Sequence, residues 1–569
     1  MQKAELYTAA DALNDALVNA GVKYIFFNSG TDYPPIIEAW AKCDFFGKKK
    51  PEVIICPHET VAMSAAHGYA LATGEPQAVF VHVDVGTQNL GGTVHNVARG
   101  HIPVLIFAGL SPYTMEGELP GGRNAPIQYI QNVSDQAGIV REYVKHATEM
   151  RTGKNIQQVI YRALQIAKSD PRGPVYLTAT REVLEAEGAD IGERFSEWSP
   201  ITPSGIDDGA AEEILSALEN AENPLIITGH AGRNAASVAE LVALCERLAV
   251  PVVESGHTYM NFPANHPLHL GFDANRAAEK ADVILTLDCD LPWMPCDVTL
   301  RPDCSIYSLD IDPIKDEIPL WHIPAKMHIR ADSYAALKKL NALLLLRASV
   351  NTEKLLARRA RYLALHDAAR PSGAAAPPEG GVITSEFLAQ CISEVVDDDT
   401  IIVNEAITNR TATDTLIPRT KPGTYYCNSG SSLGWHGGAA IGLKLAEPEK
   451  TVVALTGDGS YIFSAPTAVY WVARRYNTPF MTVIFNNQGW NAPKAITAGQ
   501  HPGGYAVASD NFRASLSPSA QLEIVAEAAG GAFARCVSDP AELRNVLRDG
   551  MAAVKGGRCA VINVVLPPV

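Results

Sequence analysis

The stretch 451–490, TVVALTGDGSYIFSAPTAVYWVARRYNTPFMTVIFNNQGW, limits what this chain can fold into more than any other. An apolar run, TVVALTG (451–457), breaks into Gly457-Asp458-Gly459-Ser460, and a helical pattern then continues to about Tyr476. A second apolar run, PFMTVIFNN (479–487), leads into Asn486-Asn487-Gln488-Gly489. The 26 residues between Gly459 and Asn486 are enough for one crossover helix and one strand, the connection that parallel strands require. Both polar clusters then fall at carboxyl ends of parallel strands, where open α/β sheets bind ligands.

The same alternation recurs along the chain. In the first third the apolar runs are YIFF (24–27), VIIC (53–56), AVFVHV (78–83), PVLIF (103–107) and VYL (175–177), with helical patterns such as 59–73 and 154–169 between them. The segment 178–204 loses periodicity and gains charge and proline, and reads as a linker. PLIITG (224–229), a helix at 234–248, VPVVES (250–255), ADVILTLD (281–288) and SIYSLDID (305–312) make a second unit. ARPSGAAAPPEGG (369–381) reads as a second linker. TIIVNE (400–405), the two runs above and CAVINVVL (559–566) make a third unit. The predicted fold is α/β, with three doubly wound parallel-sheet domains at 1–185, 205–345 and 382–569. No short-period repeat is visible.

Hydrophobic residues make up 47% of the chain and charged residues 19%, which excludes a disordered or fibrous protein. The formal net charge of −15 lacks the basic footprint of a nucleic-acid binder, so an anionic ligand would need a local holding device. Ten cysteines without a C-x-x-C pair argue against zinc sites and a disulfide framework, and fit a reducing, cytoplasmic setting. The N-terminal MQKAELYTAADALNDALVNAG reads as an amphipathic helix rather than a signal peptide. No run of 18 apolar residues predicts a membrane span.

The 451–490 stretch contains such a device. Gly457 and Gly459 let backbone N–H groups approach phosphate oxygens at the start of a helix, beside Ser460. Asp458 offers a carboxylate, Asn487 an amide oxygen and Gly489 a carbonyl. Three hard oxygens, with two from a diphosphate and a water, complete the octahedron that Mg²⁺ demands. Neither the P-loop nor the G-x-G-x-x-G pattern follows a strand, so a nucleotide kinase or a dinucleotide-dependent dehydrogenase lacks support. GDGS…NN resembles the diphosphate-binding signature of thiamine-diphosphate-dependent enzymes of the benzoylformate decarboxylase and acetolactate synthase kind.

That resemblance extends over nearly the whole chain and implies further roles. In PHETVAMSAAHGYALATG (57–74), Glu59 stands where the family's acid contacts the aminopyrimidine ring of the cofactor and activates it. SSLGWHGGAAIGLKLAEPEK (431–450) resembles the segment preceding GDG, and Leu433, 25 residues before Asp458, falls at the position that wedges the cofactor into its bent form. VNEAITNRT (403–411) makes Thr408 a candidate diphosphate contact. His82, 23 residues after Glu59 and just before Gly86-Thr87-Gln88-Asn89, matches an active-site histidine of benzoylformate decarboxylase that moves a proton on the substrate side. Asn89 of that stretch joins the cofactor contacts.

Other positions depart from the relatives. In NSGTDYPPI (28–36), Thr31 stands in place of a serine, and Gln131-Asn132 replace the synthases' Phe-Gln pair. No equivalent of the decarboxylase's second histidine is found near 290–298. The central domain is expected to be structural, and the glycine-rich 492–507 is expected to close as a lid. Taken together, the resemblance implies a thiamine-diphosphate- and Mg²⁺-dependent 2-oxoacid decarboxylase with carboligase ability, working as a homodimer or homotetramer. Its substrates would be a small 2-oxoacid and an aldehyde or ketone, and the alternatives are an acetolactate-synthase-like ligase or a 2-hydroxyacyl-CoA lyase.

Overall fold

The computed structural model describes residues 6–192, 198–347, 352–369, 378 and 381–569. They form three all-parallel sheets. The first holds β1 (Tyr24–Phe27), β2 (Glu52–Ile55), β3 (Gln77–Val81), β4 (Val104–Leu110), β5 (His146–Met150) and β6 (Val175–Thr180), in the order β2-β1-β3-β4-β6-β5. The second holds β7 (Pro224–Thr228), β8 (Val252–Glu254), β9 (Val283–Leu287), β10 (Ser305–Asp310) and β11 (Met327–Arg330), in the order β11-β10-β9-β7-β8. The third holds β12 (Ile401–Glu405), β13 (Tyr425–Cys427), β14 (Val452–Gly457), β15 (Met481–Asn486), β16 (Phe533–Val537) and β17 (Ala560–Val565), in the order β13-β12-β14-β15-β17-β16.

Renumbered within each sheet, the first and third share the order 2-1-3-4-6-5, and the central sheet keeps its 2-1-3-4 core. The chain thus repeats one topology three times without a repeat in its letters. The order reverses between strands 1 and 3, which opens a crevice at their carboxyl ends. In the first sheet that crevice lies beyond Phe27 and Val81. In the third it lies beyond Glu405 and Gly457.

The sequence patterns miss β5, β11, β13 and β16, and every one of them is a sheet edge. HATEM, MHIR and FARCV carry polar residues on half-exposed strands, and β13 is only three residues long. An edge strand needs no continuous apolar run, because one side of it is left unpaired.

The segment 178–204 is not a linker throughout. Residues 178–180 complete β6, and Arg181–Glu185 is a short helix with Arg181, Glu182, Val183 and Leu184 buried. Its charge is satisfied internally: Arg181 donates to the carbonyls of Gly121 (2.9 Å) and Gly122 (2.5 Å). Of the second proposed linker, 370–377 and 379–380 lie outside the described residues. The single helix expected after Gly459 is two, Asp458–Phe463 and Pro466–Arg475, broken at Ala465 (φ 53°) with Pro466 opening the second.

The first and third domains meet where helix Glu59–Thr73 crosses helix Trp435–Ala446. A side chain on Gly442 would come within 1.9 Å of the Ala65 carbonyl, and one on Gly68 within 2.2 Å of the Ala439 carbonyl. The small-residue surface of the first helix, within ETVAMSAAHG (59–68), is therefore spent on backbone-close contact with the second. Among the described residues no helix is long and apolar enough to cross a membrane.

Candidate active site

At the first crevice, β3 ends at Val81, one residue earlier than His82, and His82 caps the helix Val83–Asn89 instead of extending the strand. Its ring is gripped at both nitrogens. Nδ1 lies 2.5 Å from Asp32 Oδ1 and Nε2 lies 3.0 Å from Gln131 Oε1. Burial alone lowers the His82 pKa, but the hydrogen bond and charge of Asp32 outweigh it and hold the pKa above the ordinary histidine value. Asp32, in the loop after β1, is buried, and its Oδ2 accepts from the Val83 N–H (3.3 Å).

Two glycines make room for this pair. A Cβ on Gly30 would sit 2.1 Å from His82 Nδ1 and 2.4 Å from Asp32 Oδ1, and one on Gly109 2.0 Å from Asp32 Oδ2. The residue at this end of β1 that serves the site is therefore Asp32, whereas Thr31 is exposed. Sequence reasoning placed Gln131 near the acceptor only by resemblance and missed Asp32. Gly30-Thr31-Asp32 after a strand marks a turn, but nothing local pairs its acid with a histidine 50 positions away.

Glu59 opens helix Glu59–Thr73, directly after β2, and is buried. Asn89 Nδ2 donates to its Oε2 at 3.1 Å. Gly86 separates the two acid–base groups, since a Cβ there would lie 3.4 Å from both Glu59 Oε1 and His82 Cβ. Glu59, Asn89, His82, Asp32 and Gln131 thus form one cluster.

The second cluster lies at the crevice of the third sheet. Asp458 follows β14 and is buried, and that burial raises its carboxyl pKa against the pull of the N–H groups of Gly459, Gly489 and Gln488. The Asn487 carboxamide end lies 2.9 Å from the Gly489 carbonyl and 3.1 Å from Asp458 Oδ1. With nitrogen inward it donates to both. With oxygen inward, three oxygens meet at about the edge length of an octahedron whose metal–oxygen bonds are ~2.1 Å. The donor set therefore fits Mg²⁺.

The glycines around it differ in kind. A side chain on Gly457 would meet nothing within 4 Å, so space stands open beyond β14. One on Gly459 would strike Trp490 Nε1 at 2.2 Å, and one on Gly489 the Ala514 carbonyl at 2.6 Å. Open space before Gly457, beside buried Ser460, suits the diphosphate of the cofactor. Thr408 is exposed on a single 3₁₀ turn after β12, and half-buried Leu433 precedes helix Trp435–Ala446. The segment 492–507 contains helices Asn491–Gln500 and Tyr505–Ala508, with Ile496 and Tyr505 largely exposed.

One more pair braces this crevice, and the sequence reading did not find it. Glu405, the last residue of β12, accepts from the N–H groups of Trp435 (3.2 Å) and His436 (3.0 Å) and meets His436 Nδ1 at 2.6 Å. Both side chains are buried. The pair ties the end of β12, just before the Thr408 turn, to the Leu433 loop. That loop in turn rests on the first domain through Asn96, which donates to the Ser432 carbonyl at 3.0 Å. Among the described residues no hydrogen bond joins Glu59 to Asp458. In the central sheet the corresponding crevice is filled by the chain's own ions, with Lys315 between Asp290 (3.0 Å) and Asp310 (2.9 Å) and Arg233 beside Asp288 (3.5 Å).

Comparison with known proteins agrees with this geometry. The description "Thiamine pyrophosphate enzyme, N-terminal TPP binding domain" matches residues 7–139, the central domain of the same enzymes 211–340, and the C-terminal TPP binding domain 408–564. The chain belongs to the thiamine pyrophosphate enzyme family. Benzoylformate decarboxylase of Pseudomonas aeruginosa is 24% identical over 85% of this chain and 87% of its own. The acetolactate synthase isozyme 3 large subunit of Escherichia coli K12 is also 24% identical, over 98% of this chain and 95% of its own. The fold matches the thiamine diphosphate-dependent 4-hydroxybenzoylformate decarboxylase of Rhodococcus jostii with a TM-score of 0.82 at 21% identity, over 99% of both chains.

Proposed function

We propose that this chain is a thiamine-diphosphate- and Mg²⁺-dependent 2-oxoacid decarboxylase with carboligase ability. The observation that carries the reading is the first-domain cluster, in which a buried acid, Glu59, stands across Gly86 from the hydrogen-bonded pair His82–Asp32. When bound, thiamine diphosphate supplies the electron sink for cleaving or forming a bond next to a carbonyl.

The chain's own residues do the rest. Gly457, Gly459, Ser460 and Thr408 would cradle the diphosphate. Asp458, Asn487 and the Gly489 carbonyl would hold Mg²⁺ against it, and Leu433 would shape the cofactor's bend. Glu59 would exchange a proton with the pyrimidine side, with Asn89 fixing its carboxylate by donating to Oε2. His82 manages the proton on the substrate side. The family resemblance places Glu59 and Asp458 of one site on different subunits, and on that ground the working unit is a homodimer or a homotetramer, with each site shared between subunits. A cytoplasmic setting fits the ten free cysteines of the chain.

An acetolactate-synthase-like ligase is the second reading, favoured by the match to the Escherichia coli large subunit over nearly the full chain. The deciding experiment is a panel of 2-oxoacids with and without aldehyde acceptors, following CO₂ and ligated product with and without the cofactor and metal. Turnover is expected with at least one 2-oxoacid, and Glu59→Gln is expected to lower it at least ~100-fold. Full turnover by Glu59→Gln would overturn the assignment of the activating acid.

A further inference from the structure

We propose that Asp32 locks His82 as an imidazolium whose Nε2–H is the docking point for the carboxylate of an anionic 2-oxoacid, so that the pair selects acids over neutral carbonyl donors. This rests on the reading of the first-domain cluster as the substrate side of the site.

The argument begins with the partners of the ring. Nδ1 faces a carboxylate oxygen and Nε2 faces an amide oxygen, and neither oxygen has a proton to give. A neutral imidazole could donate from Nδ1 to Asp32 and accept at Nε2 only if the Gln131 amide turned its nitrogen inward. With the amide oxygen facing the ring, only the doubly protonated ring satisfies both contacts.

The charged groups around the ring favour the same state. Asp32 comes from the loop after β1, Asp84 from the ring's own helix, and Glu59 from helix Glu59–Thr73 across Gly86, while Gln131 is neutral. The direction of the His82 shift agrees. Asp32 is held by the Val83 N–H and by the space that Gly30 and Gly109 leave, which makes it a positioning residue rather than one that touches substrate.

The two sides of the ring differ in what holds them. The Asp32 side chain at Nδ1 is 2% exposed and that of His82 is 17% exposed, whereas Nε2 meets the neutral Gln131 side chain, itself buried, which an incoming acid would have to displace. There the donor is spent on a neutral amide. A carboxylate replacing Gln131 Oε1 would turn that contact into a bond between two charges, which are shorter and roughly twice as strong. A neutral aldehyde would gain no such advantage.

Two measurements on the cofactor- and Mg²⁺-loaded enzyme test this. The first is ¹⁵N NMR of the histidine rings, with His82 assigned by its loss in His82→Gln. Both His82 nitrogens are expected to remain protonated through pH 7 in the wild type and to lose a proton by pH 7 in Asp32→Asn. The second compares KM for benzoylformate and for benzaldehyde across pH. In Asp32→Asn at pH 7 the KM for benzoylformate is expected to rise roughly tenfold to a hundredfold, with the KM for benzaldehyde unchanged.

Gly30→Ala, whose methyl would separate the two side chains, is expected to reproduce both effects and serves if Asp32→Asn does not fold. A neutral His82 at pH 7 in the wild type overturns the proposal, as does an unchanged His82 in Asp32→Asn. Equal KM changes for acid and aldehyde overturn the docking role. Absence of turnover with every 2-oxoacid would instead sink the proposed function, and the NMR result would still stand or fall by itself.

Discussion

At the scale of single residues, the glycines separate function from architecture. Gly457 has an ordinary φ of −83° and open space where a side chain would go. Gly457→Ala is therefore expected to leave thermal stability nearly unchanged, within about 0.5 kcal/mol, yet to weaken thiamine diphosphate binding measured by titration calorimetry. Loss of stability without loss of binding would show that the open space is not the diphosphate cradle. His436 has the opposite profile, since it touches only the chain. His436→Ala removes the ring that meets the buried Glu405 carboxylate, although two backbone N–H groups remain. The expected cost is about 1–3 kcal/mol by chemical denaturation, the range for leaving a buried group short of a hydrogen-bond partner. The sequence placed Gly457, Asp458 and Asn487 at strand ends and Glu59 at a helix start, and the structure has them there, because turn residues and apolar runs mark such positions locally. It left Asp32 and Glu405 unread because an acid that serves a histidine 50 or 31 positions away has no local signature.

At the scale of elements, the crossing of helices Glu59–Thr73 and Trp435–Ala446 is set by backbone contact. A methyl at Gly442 would meet the Ala65 carbonyl at 1.9 Å and the Tyr69 nitrogen at 2.7 Å, both main-chain atoms that cannot swing aside. Gly442→Ala is expected to destabilise the protein by about 1–3 kcal/mol or more, read as a drop in thermal midpoint, because the helices must part. A wild-type midpoint would mean that the crossing is loose. Since Glu59 opens the first helix and the Leu433 loop leads into the second, parting them should also lower turnover. The central strands were legible from their apolar runs, and the helix at 59–73 was placed to the residue. The four edge strands and the break at Ala465 were not, because exposure on one side and a single left-handed residue leave no periodic trace.

At the scale of the molecule, pH tests how the domains are joined. His67 lies at the same helix crossing, accepts the Trp435 indole N–H at Nδ1 (3.1 Å), and is pushed by burial down to a pKa of about 3. Its folded pKa is below the unfolded value near 6.5, so this histidine's contribution is fully present above pH 6.5 and is lost as pH falls toward 3. Between pH 7 and pH 4 the loss is on the order of 3 kcal/mol. Chemical denaturation at the two pH values should show it, and His67→Phe should flatten the difference. An equal pH dependence in that variant would place the acid-sensitive group elsewhere. The sequence by itself determined three parallel-sheet domains and the strand ends that carry chemistry, because apolar runs, crossover lengths and glycine turns are local facts. Only the tertiary structure decided that the first and third sheets share one strand order, that Asp32 rather than Thr31 serves His82, and that the central crevice is filled by Lys315 and Arg233. Those outcomes depend on which distant loops meet at a crevice, and that meeting is fixed by strand order and close packing rather than by any neighbouring residue.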